Sequence, residues 1–363
     1  MLPSSDGSIH HRIGTRRYLP TDSVESLLLS LAAIIVAAIL FGGFLALQGH
    51  NPIAVYQTLY LGAFGTRFSI EGTLTATAPL LLTALCTLIP ARVGLLVIGA
   101  EGAVVMGGLG AVLAGVALAS APSSIGAVLV VAAGALAGGL WIAAAGALKH
   151  LRGVNETIST LLMNYIAIAV MNHLVTGPIR DFSQTLKAQS WSLPDAFMVG
   201  SIPGWSVHWG LVIGLVACVL LHLLLRHTTL GFSMDILGGN RRAAQMAGLP
   251  IGRLLLLACF LGGAAAGMAG AIEVIAVHGA ASESLVVGLG YAGILVAFLA
   301  RQNALAVIVV ALLLGGISAS GGLLQRRFDI PHAATTVLHG LIFICVLASN
   351  AFAGRLLPGR RGG

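Results

Sequence analysis

Few side chains in this sequence can do chemistry, and most of them sit inside long apolar runs. Glu101 is the lone carboxylate of the glycine-dense stretch GLLVIGAEGAVVMGG. A carboxylate at mid-membrane costs on the order of 2.5–3.5 kcal/mol on insertion scales, so it faces a cavity or a partner. Two readings stand: a pathway or gate residue, or an acceptor for backbone N–H groups freed by the surrounding glycines. Glu156, Thr160, Asn164 and Met171 fall near one face of a helix. Asn164 lies deep in its run, where it binds a solute or bonds a neighbouring helix. An amide carries donors and acceptors, which suits a neutral, hydroxyl-rich solute. Asn155 and Glu156 read as an N-cap and its first-turn acid. Glu273 and His278 close a later apolar run, either as an outer gate or docking point or as a solvated interfacial pair. Tyr291 and His339 read as packed polar aromatics, and Met163 and Met171 as packing.

What is absent narrows the chemistry. The chain carries no G-x-x-x-x-G-K-[ST], no H-E-x-x-H and no G-x-S-x-G. Cys86, Cys218, Cys259 and Cys345 lie in apolar runs without C-x-x-C spacing, and read as small buried hydrophobes. No residues pair as nucleophile and base. The chain reads as non-catalytic in itself, with no metal site and no directly bound cofactor.

The elements that must position these groups are membrane spans. The 363 residues are 57% hydrophobic and 9% charged, with a mean hydropathy of +0.98. A soluble domain carries roughly a quarter charged residues, so this is an all-α polytopic membrane protein. The 48 glycines suit helices whose backbones approach closely in lipid. The net charge of +7 does not indicate nucleic acid, because the basic residues punctuate the apolar runs.

About ten spans are expected: residues 27–47, 72–89, 93–118, 125–148, 155–176, 209–225, 254–277, 286–300, 304–319 and 333–352. Residues 1–26 and 353–363 read as cytosolic tails around a transmembrane domain, 27–352. The first run is too long for a signal-peptide core and reads as a retained span. The third run holds Glu101 among its glycines and is expected to be kinked or discontinuous. Residues 48–67 and 178–208 read as outer loops, with Tyr56, Tyr60, Trp191, Trp205 and Trp209 suited to the headgroup zone. With the N-terminus inside, Arg12, Arg16, Arg17, Arg92, Lys149, Arg152, Arg226, Arg241, Arg242, Arg253, Arg301, Arg355, Arg360 and Arg361 fall on the inner side. Arg67, Arg180, Lys187, Arg326 and Arg327 fall outside, so the bias is fourteen to five and obeys the positive-inside rule. Arg326 and Arg327 fit it poorly, and suggest a re-entrant segment or a misdivided pair of runs.

One hydrophilic island, residues 226–253, interrupts the chain between the sixth and seventh spans. Asn240 is a natural N-cap, Arg241 to Ala247 offer one or two helical turns, Gly248 is the natural C′ residue, and Pro250 ends the helix. A short capped helix in a cytosolic loop is suited to meeting another protein. Here GGNRRAAQMAGL resembles the coupling loop of ATP-binding cassette (ABC) importer permeases, with Ala243, Ala244 and Gly248 in the places of its loose alanine–glycine signature. GVNETISTLLMNYIA, LGGAAAGMAGAIEVIAVHG and the Glu101 stretch resemble the nucleoside and simple-sugar branch of the ribose/branched-chain-amino-acid permease family, from about Thr73 to Leu347.

That resemblance implies a permease subunit in a bacterial inner membrane, both termini cytosolic, working with a homologous permease, a separate ATPase that consumes ATP and Mg, and an outer substrate-binding lipoprotein. It implies an inverted repeat of spans 2–5 and 7–10. Gly239, Asn240, Arg241, Arg242, Ala243, Ala244 and Gly248 would form the ATPase contact. Glu101, Thr160, Asn164 and Glu273 would line the path of a small polar solute such as a nucleoside, nucleobase or pentose. The rivals are a secondary transporter driven by an ion gradient, which needs titratable groups near the midplane, and an intramembrane enzyme, which needs clustered His, Asp or Arg at one face.

Overall fold

A computed structural model describes residues 20–119, 122–183 and 187–352. Arg12, Arg16, Arg17, Arg355, Arg360 and Arg361, the C-terminal tail and most of the N-terminal one lie outside the described residues. The regular structure of the described residues is helical, with isolated bridges at Arg180–Ser190, Gln189–Ser282 and Ser201–His208. Eight helices are long and apolar enough to cross a membrane, and two shorter apolar ones accompany them.

The helices are α1 (Pro20–Leu47), α2 (Pro52–Phe64), α3 (Arg67–Ala91), α4 (Ala100–Ala117), α5 (Ser123–Arg152), α6 (Glu156–Thr176), α7 (Gly210–His227), α8 (Thr229–Gly239), α9 (Arg241–Met246), α10 (Ile251–Glu273), α11 (Leu289–Leu299), α12 (Ala304–Phe328) and α13 (Ala333–Phe352). Helix α1 begins seven residues before the expected first span. The expected outer loop at 48–67 is largely helix. Asn51 caps α2 by accepting from Ile53 N at 3.0 Å, and Val55, Leu59, Gly62 and Ala63 turn one face inward. Helix α12 runs unbroken to Phe328 and carries Arg326 and Arg327 in its last turn, where cations favour the helix dipole. No re-entrant segment is needed for them.

The centre is built from α3 and α10. Helix α3 packs on α10, α11 and α12, while α10 packs on α3, α4 and α5. The second half thus mirrors the partners of the first, as two intertwined repeats would. Glycine permits the closest approaches. A Cβ on Gly107 of α4 would lie 2.4 Å from Gly267 Cα of α10, and one on Gly138 of α5 would lie 2.6 Å from that same atom. These contacts show what the glycines of the third run do. Helix α4 is continuous from Ala100 to Ala117, and its glycines serve packing. The expected discontinuity of the 93–118 run lies before α4, at residues 95–98, which have no regular secondary structure.

A second break was not expected. Helix α10 ends in a π turn, Val274–His278, and the chain stays irregular until α11. Helix α11 has only 11 residues, about 16 Å at 1.5 Å per residue, against a hydrocarbon core of about 30 Å. It is a half-span whose first turn lies inside the protein.

Candidate functional site

The two breaks meet. Helix α11 opens at Gly288, held at φ +84, where its first N–H groups have no partners in their own helix. The Glu101 carboxylate supplies them. Gly288 N donates to one oxygen at 2.8 Å and Gly290 N to the other at 2.6 Å. Glu101 is 1% exposed and belongs to the first turn of α4, so one carboxylate joins the starts of two helices. Gly290 allows this: a Cβ there would lie 2.1 Å from Glu101 N. Between the two sequence readings, the structure places Glu101 as a backbone acceptor, for the glycines of another helix.

The polar stripe of α6 serves the first break. Residues 95–98 have lost their helical hydrogen bonds, and unpaired backbone groups inside a membrane protein are costly. Thr157 Oγ1 donates to Leu96 O at 3.0 Å. Ile98 N donates to Thr160 Oγ1 at 3.1 Å. Asn164 donates to Ile98 O at 2.9 Å and accepts from Gly102 N at 2.8 Å, and its amide also reaches the Tyr291 hydroxyl at 3.4 Å. Thr160 and Asn164 are wholly buried. Both capping expectations hold at the start of α6: Asn155 accepts from Thr157 N at 2.9 Å, and Glu156 pairs with Lys149 at 2.8 Å.

A cavity of about 750 Å³ opens between α3, α11, α13 and the end of α10. Phe68, Pro79, Leu295 and Phe343 give it apolar walls, and Glu71, Glu273, Tyr291, Thr335 and His339 give it polar points. Of the four residues expected on a pathway, Glu273 alone lines it; Glu101, Thr160 and Asn164 stand behind its wall. No lysine or arginine is among the described residues lining it. Among the described residues, Glu273 has one ionisable group within ion-pair range, His278 Nε2 at 3.7 Å, too far for a hydrogen bond.

At the mouth of the cavity Glu71 is clamped. Arg67 Nε donates to it at 3.1 Å, Ser206 donates to its other oxygen, and the Arg67 guanidinium lies 5.2 Å from the Trp205 ring centre. The segment 201–208 thus ties the long loop between α6 and α7 to α3. That loop is folded: Val199 N donates to Ile275 O at 2.9 Å, and Phe197 is buried against Gly126. Sequence reading passed over Glu71, although its i,i+4 spacing from Arg67 was a usable signal.

At the opposite end, the island 226–253 forms α8 and α9. Asn240 caps α9 as expected, accepting from Arg242 N at 2.9 Å and Ala243 N at 3.2 Å. Gly248 follows with φ +70. The face of α9 corrects one expectation. Ala244 is 0% exposed and packs into this chain's own core, so it anchors the helix and cannot line an outside groove. Gly239, Asn240, Arg241, Arg242, Gln245 and Gly248 are exposed and Ala243 half-buried. Met246, which the sequence reading did not single out, is 83% exposed.

Comparison with known proteins agrees with this architecture. Residues 69–347 match the family described as branched-chain amino acid transport system / permease component. The chain is 30% identical to a guanosine ABC transporter permease protein of Bacillus subtilis, over 90% of this chain and 95% of the relative. It is 27% identical to a glucose ABC transporter permease protein of Haloferax volcanii, over 88% and 86% of the two chains. It is 26% identical to a nucleoside ABC transporter permease protein of Lactococcus lactis, over 89% and 91%.

Proposed function

The chain belongs to the family of branched-chain amino acid transport system permease components, a non-catalytic, membrane-spanning permease, and from that premise we propose that it forms half of the path of an ATP-driven importer of nucleosides. A homologous permease supplies the other half. A separate ATPase hydrolyses ATP with Mg, and an outer binding protein delivers the solute. The transmembrane domain, 27–352, lies in a bacterial inner membrane with both tails, 1–26 and 353–363, in the cytosol. Helix α9 is the contact for the ATPase, through Gly239, Arg241, Arg242, Ala243, Gln245, Met246 and Gly248, with Asn240 and Ala244 holding it in place.

One observation carries this reading. A capped, outward-facing helix and a cavity mouth stand at opposite ends of the same bundle. ATP-driven closure of the ATPase pair would move α9, and the spans would rock between outward and inward openings.

The lining favours a solute that is apolar on one face and hydroxyl-bearing on another. Aromatic walls suit a base, while Glu273, Tyr291 and Thr335 suit ribose hydroxyls. The described residues of the lining include no lysine or arginine, the usual partners for the carboxylate of an amino acid or for a phosphate. The ion-gradient alternative loses its main support, because Glu101 spends both oxygens on backbone N–H groups.

The test is uptake by the complete importer in vesicles. Guanosine should accumulate with ATP and survive an ionophore, while leucine and ribose 5-phosphate should not accumulate. Uptake that needs an ion gradient but no ATP would overturn the reading.

A further inference from the structure

Arg92 sits where three moving parts would have to be joined. It follows the last residue of α3, and two of its side-chain nitrogens reach two different elements. Nη1 pairs with Asp235 of α8 at 3.4 Å. Nη2 donates to Gln302 O at 2.9 Å. Its backbone is gripped as well: a Cβ on Gly238 of α8 would lie 2.2 Å from Arg92 O, so α8 rests directly on this peptide.

Gln302 belongs to an unusual turn. Arg301 and Gln302, between α11 and α12, both hold positive φ, at 50° and 60°. Two consecutive non-glycine residues in that region cost free energy and persist only where the surroundings fix them. The Arg92 hydrogen bond is one such constraint. The turn ends α11, and the other face of α11 walls the cavity through Leu289, Tyr291 and Leu295.

The contacts form a continuous chain. Helix α9 leads through Asn240 into α8; α8 holds Arg92; Arg92 holds the 301–302 turn; the turn holds α11. We propose that Arg92 is the positioning residue that passes movement of the α8–α9 segment to α11, and so to the cavity wall. This rests on the importer reading above, and adds to it the part through which the segment acts. A bifurcated guanidinium is needed for the task, because its fixed fork serves two acceptors at once.

The experiment uses the complete importer in proteoliposomes, with tritiated guanosine as probe and ATP hydrolysis measured in parallel. Arg92→Gln should leave the ATPase bound and hydrolysing while uptake falls, so that ATP consumed per guanosine rises about fivefold or more. Arg92→Lys keeps the charge but not the fork, and should fall between the two. If uptake and hydrolysis fall together in an intact Arg92→Gln complex, Arg92 only supports docking and the proposal fails. If Arg92→Gln does not assemble, Arg92→Lys decides, and a wild-type ratio there overturns the proposal. If the wild-type complex shows no ATP-dependent guanosine uptake, the importer reading itself fails, and the proposal with it.

Discussion

The Glu101 carboxylate accepts a hydrogen bond from Gly290 N at 2.6 Å, across the meeting of two broken spans. A second bond from Gly288 N completes the pair. A helix start inside a membrane protein leaves N–H groups that neither lipid nor its own helix can satisfy. One side chain answers this for α11, and the absent Gly290 side chain lets α4 come close enough to do so.

Glu101→Leu should therefore damage the fold and not merely transport. It leaves the buried Gly290 N–H and the half-buried Gly288 N–H unpaired, at roughly 1–3 kcal/mol for the buried one. Glu101→Gln retains an acceptor and should cost less. Gly290→Ala should fail to assemble, since its Cβ would meet the Glu101 backbone at 2.1 Å. Thermal unfolding of the detergent-solubilised protein checks all three; an unchanged midpoint for Glu101→Leu would contradict the assignment.

Asn164→Leu is expected to lose stability in the same way. It strips partners from Gly102 N and Ile98 O, again roughly 1–3 kcal/mol for each group left unpaired. Uptake should fall in proportion to folded protein, with KM unchanged. A shifted KM at full stability would return Asn164 to the solute path.

Glu273 is expected to behave differently. It lines the cavity and bonds no backbone group among the described residues. Glu273→Gln should leave unfolding unaltered and raise the KM for guanosine roughly tenfold, the cost of losing about one hydrogen bond to the solute. Measured uptake kinetics with an unchanged KM would remove it from the path.

How much was legible follows from what kind of signal each feature leaves. Asn240, Gly248 and Pro250 announce a capped helix because capping is local chemistry, and the structure places α9 there. The spans were legible from length and apolarity. Asn164 and Thr160 were not assignable, because an amide or hydroxyl facing a broken backbone has the same sequence signature as one facing a solute. The start of α11 was hidden for another reason. Its run is mostly apolar, and only the hydrogen bonds of Gly288 N and Gly290 N to Glu101 reveal a half-span. Helix α2 was readable in principle, since Val55, Leu59 and Gly62 recur at helical spacing. Ala244 and Met246 share one short helix, and which of them faces inward depends on how α8 packs.

The account rests on α9 being the surface that the ATPase covers, and Met246 is its exposed large apolar side chain. Met246→Cys should be placed in the otherwise complete importer, and inside-out vesicles treated with a membrane-impermeant maleimide. The account predicts labelling when the ATPase has been stripped off and protection when it is restored. Labelling only from the outside of intact cells, or labelling that the restored ATPase does not slow, would contradict it.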